Sequence, residues 1–276
     1  MIIILKVIPL DFKSAMSKFT IYQYLSAFLI ILTLASAFFY DFGISSLIPV
    51  LIAVLTAAIL DLLIDYFWSK TWEIPYSALI SGIFIGGLLT QNLSWHIYVI
   101  AGIIAIVSKH LIKVNHRHIF NPANLGILLV FLIFKAPNTW WISSPFYLVI
   151  LFGLFILWKL KRFDLGLSFL LTYYLVHFYL LLRDVSPLQH FSNLVAQSGT
   201  VLFFAMFMLI EPKTNPAAKR QRIFYGILVA FMLVGIEIYN PVFGIPFVLA
   251  VANLFVPLLN RISFEFRKKN AENARQ

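Results

Sequence analysis

The chain has 276 residues, 61% of them hydrophobic and only 12% charged, with a mean hydropathy of +0.92. An ordinary soluble domain carries about 25% charge and a chain this long keeps a large surface in contact with solvent, so a water-soluble fold is excluded and lipid is the expected solvent. The net charge of +10 and pI near 9.7 do not point to nucleic acid, because the basic residues sit in short loops between apolar runs.

In chain order, residues 1–20 are expected to form a cytoplasmic or interfacial lead-in. The apolar run 1–10 is too short for a cleavable signal, and Lys13 and Lys18 follow it without a small-residue cleavage site. A bilayer core needs roughly 17–25 apolar residues per helix. On that scale spans fall near 21–39, 44–63, 76–90, 94–108, 122–135, 144–160, 164–182, 192–210, 223–239 and 242–260, the third to fifth being short. The fold class is therefore all-α and polytopic, one transmembrane domain over 21–260 followed by a basic cytoplasmic tail at 261–276. With both ends in the cytoplasm, all but two of the 21 Lys and Arg lie on the inner side, and only Lys135 and Arg183 lie outside. A wrong span count would scramble that parity, so the asymmetry supports a multi-pass protein of the inner (cytoplasmic) membrane. Trp68, Trp72, Trp95, Trp140 and Trp141 fall near span ends, where indoles favour the interface.

Two signals recur between the halves. Ser81-Gly82 in span three matches Ser198-Gly199 in span eight, and Asn121-Pro122 before span five matches Asn240-Pro241 before span ten, at offsets of 117 and 119 residues. Such pairs are common and each match is weak alone. Five spans per half is an odd number, so copies over about 21–135 and 144–260 would have opposite orientation, an inverted repeat with its site where interrupted helices meet. Proline in a first turn forfeits no hydrogen bond and a preceding Asn can cap the exposed N–H groups. A mid-span Gly lets the backbone break or approach a ligand. If spans three and eight break at Gly82 and Gly199, Ser81-Gly82, Asn121-Pro122, Ser198-Gly199-Thr200 and Asn240-Pro241 mark four helix N-termini, which bind anions such as phosphate.

The absence of cysteine excludes disulfides, thiolate zinc sites, all-cysteine iron–sulfur clusters and cysteine nucleophiles. A redox cofactor would be organic, or a haem held by histidine. The run Lys109-His110 to His118-Ile119-Phe120-Asn121-Pro122-Ala123-Asn124 resembles the signature of the RnfD/NqrB family, membrane subunits of the Rnf complex and of the sodium-pumping NADH:quinone reductase. Ser81-Gly82, Ser198-Gly199 and Glu211-Pro212, where the family usually has Asp-Pro, resemble it more weakly; the likeness covers about 45–260. It implies a ten-helix inverted-repeat fold, other membrane subunits as partners, FMN or riboflavin, and electron transfer coupled to ion movement. On the residues that match, Ser198, Gly199, Thr200, Asn240, Ser81, Gly82, His118, Asn121 and Asn124 are the candidate cofactor-binding set. Relatives with covalent FMN use Ser-Gly-Ala-Thr and esterify the final Thr. This chain reads Ser198-Gly199-Thr200-Val201, a valine in the acceptor slot with the nearest hydroxyl one residue, or about 100° of helix, away.

Other polar residues have bland alternatives. Lys109, Lys113 and Arg117 satisfy positive-inside topology and contact with anionic lipid, whereas His110, His116 and His118 beside an Asn-Pro cap are unexplained by it. His118 is either a polar contact to a ligand or helix end, or a solvated loop residue. Asp61 and Asp65 near the inner end of span two oppose the helix dipole and fit either an ion path or pairing with a nearby cation, the second being preferred. Glu237 reads as solvated, and His177 as buried among aromatics with an interhelical hydrogen bond, in preference to a haem ligand. The leading function is a flavin-binding electron-transfer subunit. The alternative is a channel or carrier for a small polar solute on the same scaffold, since fold alone cannot choose.

Overall fold

The computed structural model describes residues 19–70, 72–114, 117–184, 186–240 and 244–273, with the backbone alone for 263–273. Most of the 1–20 lead-in, His116, Pro241 and the last three residues lie outside the described residues. Ten α-helices are present among the described residues: α1 (Ile21–Phe39), α2 (Leu47–Ser69), α3 (Tyr76–Leu88), α4 (Trp95–Leu111), α5 (Pro122–Phe134), α6 (Phe146–Leu160), α7 (Phe163–Leu181), α8 (Pro187–Phe203), α9 (Lys219–Tyr239) and α10 (Gly244–Asn273). They coincide in order and number with the ten spans. Six apolar segments, built on α1, α2, α7, α8, α9 and α10, are long enough to cross a bilayer, and α3, α4, α5 and α6 are shorter. A two-residue antiparallel hairpin, β1 (Lys113–Val114) and β2 (Arg117–His118), interrupts the all-α pattern between α4 and α5.

Local chemistry sets several boundaries. Thr20 and Gln23 form a capping box, Thr20 Oγ1 accepting from the Gln23 N–H and Gln23 Oε1 accepting from the Thr20 N–H. Lys70, Lys135 and Lys161 end α2, α5 and α6 in the left-handed conformation. α10 does not stop at 260 but continues as helix through most of the expected tail to Asn273.

The contact between α2 and α3 is a close-packed seam of small residues. On α2, Ile48, Leu51, Leu55 and Ile59 point outward, while Val50, Ala53 and Ala57 are buried. Gly82 and Gly86 of α3 complete this seam. A Cβ on either would stand 2.4 Å from the Cα of Val54 or Val50, so only glycine lets the two backbones approach so closely. This corrects the expectation of a break: α3 runs unbroken through Ser81-Gly82, and α8 through Ser198-Gly199-Thr200. In an apolar medium each intrahelical hydrogen bond lost is expensive, and the glycine serves close packing instead. Hence no helix N-terminus lies at Gly82 or Gly199. Asn240 is the C-cap of α9, its N–H bonded to the Ile236 carbonyl, and the residues after it, where span ten is expected to open, lie outside the described residues, α10 being described from Gly244.

Two departures from regular helix lie near the centre. After α3, residues 89–90 pair with the 137–139 segment through a Leu89–Asn138 bridge and the Thr90 N–H to Pro137 carbonyl bond. After α8, Phe204–Met208 form a π turn of five buried residues, closed by the Leu209 N–H to the Phe204 carbonyl. Trp140 and Trp141 turn inward instead of sitting at the interface, Trp141 Nε1 donating to the Gly86 carbonyl at 3.0 Å. Trp68, Trp72 and Trp95 stay exposed.

Candidate functional site

At the end of the bundle that carries most of the basic residues, α1, α3, α4, α5, α6 and the segment after α8 enclose a pocket that is open at its mouth. Its apolar wall includes Ile80, Phe84, Ile156, Phe207 and Ile210, and its polar lining includes Tyr22, Ser77, Ser81, Lys109, His118, Asn121 and Glu211. An apolar wall with a few convergent polar groups is the lining of a small-molecule site.

Each polar group is held by a local cause. Asn121 Oδ1 caps α5 by accepting from the Asn124 N–H at 3.0 Å, and Pro122 occupies the first turn. The buried His118 bonds through Nε2 to Glu211 Oε1 at 2.9 Å. Arg117 donates to the carbonyls of Pro212, Lys213 and Asn215 and pins the loop that bears Glu211. Lys109 Nζ donates to both Asp61 oxygens, at 2.8 and 2.7 Å, and to Ser77 Oγ at 2.7 Å. His110 Nε2 shares Asp61 at 2.7 Å. Asp61, 1% exposed, is thus paired with neighbouring basic groups, as preferred over an ion path. Its two partners offset the cost of burying a carboxylate. On the loop, desolvation and the Lys109 and Lys113 ammonium groups hold Lys213 below the usual lysine range, against the opposing pull of Glu211.

The sequence-derived candidates divide. Ser81, His118 and Asn121 meet in the pocket, and Asn124 lies behind it in the first turn of α5, its Nδ2 donating to the Pro246 carbonyl at 2.8 Å. Gly82 faces α2. Ser198, Gly199, Thr200 and Asn240 are not among the residues lining the pocket. A Cβ on Gly199 would meet the Ser143 carbonyl at 3.1 Å, which puts that run beside the Trp141–Ser143 turn. Ser81 and Ser198 do behave alike: each hydroxyl donates to the carbonyl four residues back, Ser77 and Leu194. Val201, in the slot of the family's acceptor, is 1% exposed within the apolar core.

Sequence reasoning passed over Tyr22, Ser77 and above all Asn253. Fully buried on α10, Asn253 accepts from the Asn121 N–H at 3.2 Å and donates to the Thr214 carbonyl and to Tyr225 Oη, both at 3.0 Å. It ties the α5 cap to the Glu211 loop and α9. An Asn in the middle of an apolar span was its available signal.

The family model described as NQR2, RnfD, RnfE matches residues 13–146 and 143–268. The chain belongs to that family. It is also similar to a subunit of the ion-translocating oxidoreductase complex of Aliivibrio salmonicida, 22% identical over 303 aligned positions that cover 80% of this chain and 86% of the relative. In this family member, the pocket gathers Lys109, His118, Asn121 and Pro122 of the signature run, Ser81 of span three and Glu211-Pro212 at one place, although they are far apart in the chain.

Proposed function

We propose that this chain is a membrane subunit of an electron-transfer complex, working beside other membrane subunits, and that it binds FMN or riboflavin without a covalent bond in the basic-end pocket. The observation that carries the reading is the convergence of Ser81, His118, Asn121 and Glu211 on one pocket in a member of the NQR2, RnfD, RnfE family.

The lining suits a flavin. Phe84 and Phe207 offer aromatic surface and Ile80, Ile156 and Ile210 an apolar slot for a planar ring system. The capped N-terminus of α5 supplies positive potential for a phosphate. A bound flavin would supply one- and two-electron redox chemistry. The protein's own part is to orient the ring, exclude water, and hold His118 against Glu211 as a polar contact at the pocket wall. Val201, buried and without a hydroxyl, offers no ester linkage, and Thr200 is not part of the lining. The solute-channel alternative is less well supported. Phe84, Phe203 and Trp140 lie edge to face at 5.9 and 6.2 Å and occupy the space beyond the pocket.

Ion coupling and the relation of α1–α5 to α6–α10 as inverted copies belong to the same proposal, supported by the five-plus-five helix order. The cofactor part is tested on protein purified with its partner subunits. The expected result is a visible flavin spectrum, with all flavin released on denaturation and a dark band on a denaturing gel under ultraviolet light. A preparation without flavin absorbance overturns flavin binding. A fluorescent band overturns the non-covalent mode, and its loss in Thr200→Ala would then identify Thr200 as the acceptor.

A further inference from the structure

A second set of titratable groups lies at the other end of the bundle, and the pocket reading does not use it. α7 contributes Tyr173 and His177, α9 Glu237, the first turn of α8 His190, and the α7–α8 turn Asp184. Asp184 Oδ2 lies 2.9 Å from His190 Nδ1, His190 Nε2 lies 3.2 Å from His177 Nδ1, and His177 Nε2 lies 3.0 Å from Glu237 Oε2. Tyr173 Oη then donates to the same carboxylate at 3.2 and 3.3 Å. The chain of bonds leads from a side chain 34% exposed at Asp184 to Tyr173, which is 1% exposed.

A proton count shows what is unusual here. Three hydrogen bonds join the two carboxylates through the two imidazoles, and each needs a proton. With both carboxylates ionised, two neutral imidazoles supply one N–H apiece, which leaves the set one proton short. Satisfying every bond therefore requires one imidazolium. The same proton halves the net negative charge that the set carries beside the buried Tyr173.

We propose that Asp184, His190, His177 and Glu237 form a proton-binding site that fills from the surface through Asp184. In one form His190 is the cation, donating Nδ1–H to Asp184 and Nε2–H to His177. Transfer across that bond breaks the His190 Nε2–H bond and forms a His177 Nδ1–H bond, leaving His177 the cation. Nothing is oxidised or reduced, and the remaining His177 Nε2–H points at Glu237.

Other ionisable groups lie on the neighbouring elements. On α7, the Tyr174 ring contacts Tyr173 at 5.4 Å, and the Arg183 guanidinium lies over Tyr179 at 4.8 Å. α9 adds Tyr239 and α6 Tyr147. α8 carries no other ionisable residue, and α10 carries none from Gly244 to Asn260. Beyond Tyr173 come the rings of Phe169 and Phe204. The site is independent of the flavin reading, and either can fail without the other.

The test is nitrogen NMR of the full-length, ¹⁵N-histidine-labelled protein in phospholipid nanodiscs. At neutral pH the spectrum should show one imidazolium equivalent shared by the pair, and it should disappear in either His177→Gln or His190→Gln. Asp184→Asn, on an exposed turn, removes the anionic acceptor 2.9 Å from His190 Nδ1 and should lower the imidazolium fraction. If the histidine variants fail to fold, the wild-type spectrum decides through nitrogen–nitrogen coupling across the His177–His190 bond. Neutral imidazoles at both positions, no such coupling, or an imidazolium fraction unmoved by Asp184→Asn would overturn the proposal.

Discussion

His118 and Asn253 show how much of the pocket depends on single polar side chains. His118 has Glu211 as its partner, and Glu211 Oε2 also accepts from Thr214 Oγ1 at 3.2 Å. Glu211→Ala should strand His118 and lower stability by about 1–3 kcal/mol, the usual cost of leaving a buried polar group unsatisfied. It should also reduce the flavin retained on purification. Normal flavin content with normal thermal stability would remove Glu211 from the site. Asn253→Leu keeps the volume roughly constant but leaves the Asn121 N–H, the Thr214 carbonyl and Tyr225 Oη without their partner. We expect it to cost about as much or more, measured by thermal unfolding in detergent. An unchanged midpoint would mean that water replaces Asn253. Sequence reading located His118 but left its contact open between a ligand or helix end and solvent. It missed Asn253, because one residue does not reveal which three separate segments will converge on it.

The α2–α3 seam makes a sharper prediction at the level of elements. Gly86→Ala places a methyl group where Val50 backbone already stands, so the helices must separate, at a typical overpacking cost of about 1–3 kcal/mol. Gly235→Ala on α9 has open space around its Cβ and should be neutral or slightly stabilising, since alanine is the better helix former. Equal effects from the two substitutions would refute the close-packing account. The π turn Phe204–Met208 shifts the helical register ahead of Phe207, Ile210 and Glu211, all of which line the pocket. π turns are frequent at functional sites for this reason. Sequence periodicity does not announce one, because the segment is buried on every side and lacks a polar face to set its phase. Gly82 and Gly199 were legible as special positions but not as to use. A mid-span glycine serves a break or a close approach equally well, and only the position of the neighbouring helix decides.

At the scale of the molecule, charge asymmetry and helix order together predict orientation. Reporter fusions at Lys135 and Arg183 should read external, and those at Lys161 and Lys219 internal. An internal signal at either of the first two would overturn the placement of both termini in the cytoplasm. The architecture also separates two polar centres. The pocket with Lys109, His118 and Glu211 lies at the basic end, the Asp184–Glu237 chain lies at the other, and the aromatic core around Phe84, Trp140, Phe203 and Phe204 stands between them.

Composition alone determined the solvent, because 12% charge cannot cover the surface of a 276-residue protein in water. Span length and the placement of Lys and Arg determined the number and order of the helices, and Asn121-Pro122 determined where α5 starts. These properties are local, or sum over the chain. Tertiary structure decided which faces meet: Asp61 with Lys109 and His110, His177 with His190 and Glu237, Trp140 and Trp141 inward. In a membrane bundle the faces towards lipid and towards other helices are both apolar. Periodicity therefore cannot tell them apart, and the partners of a buried polar group become known only when the helices are in place.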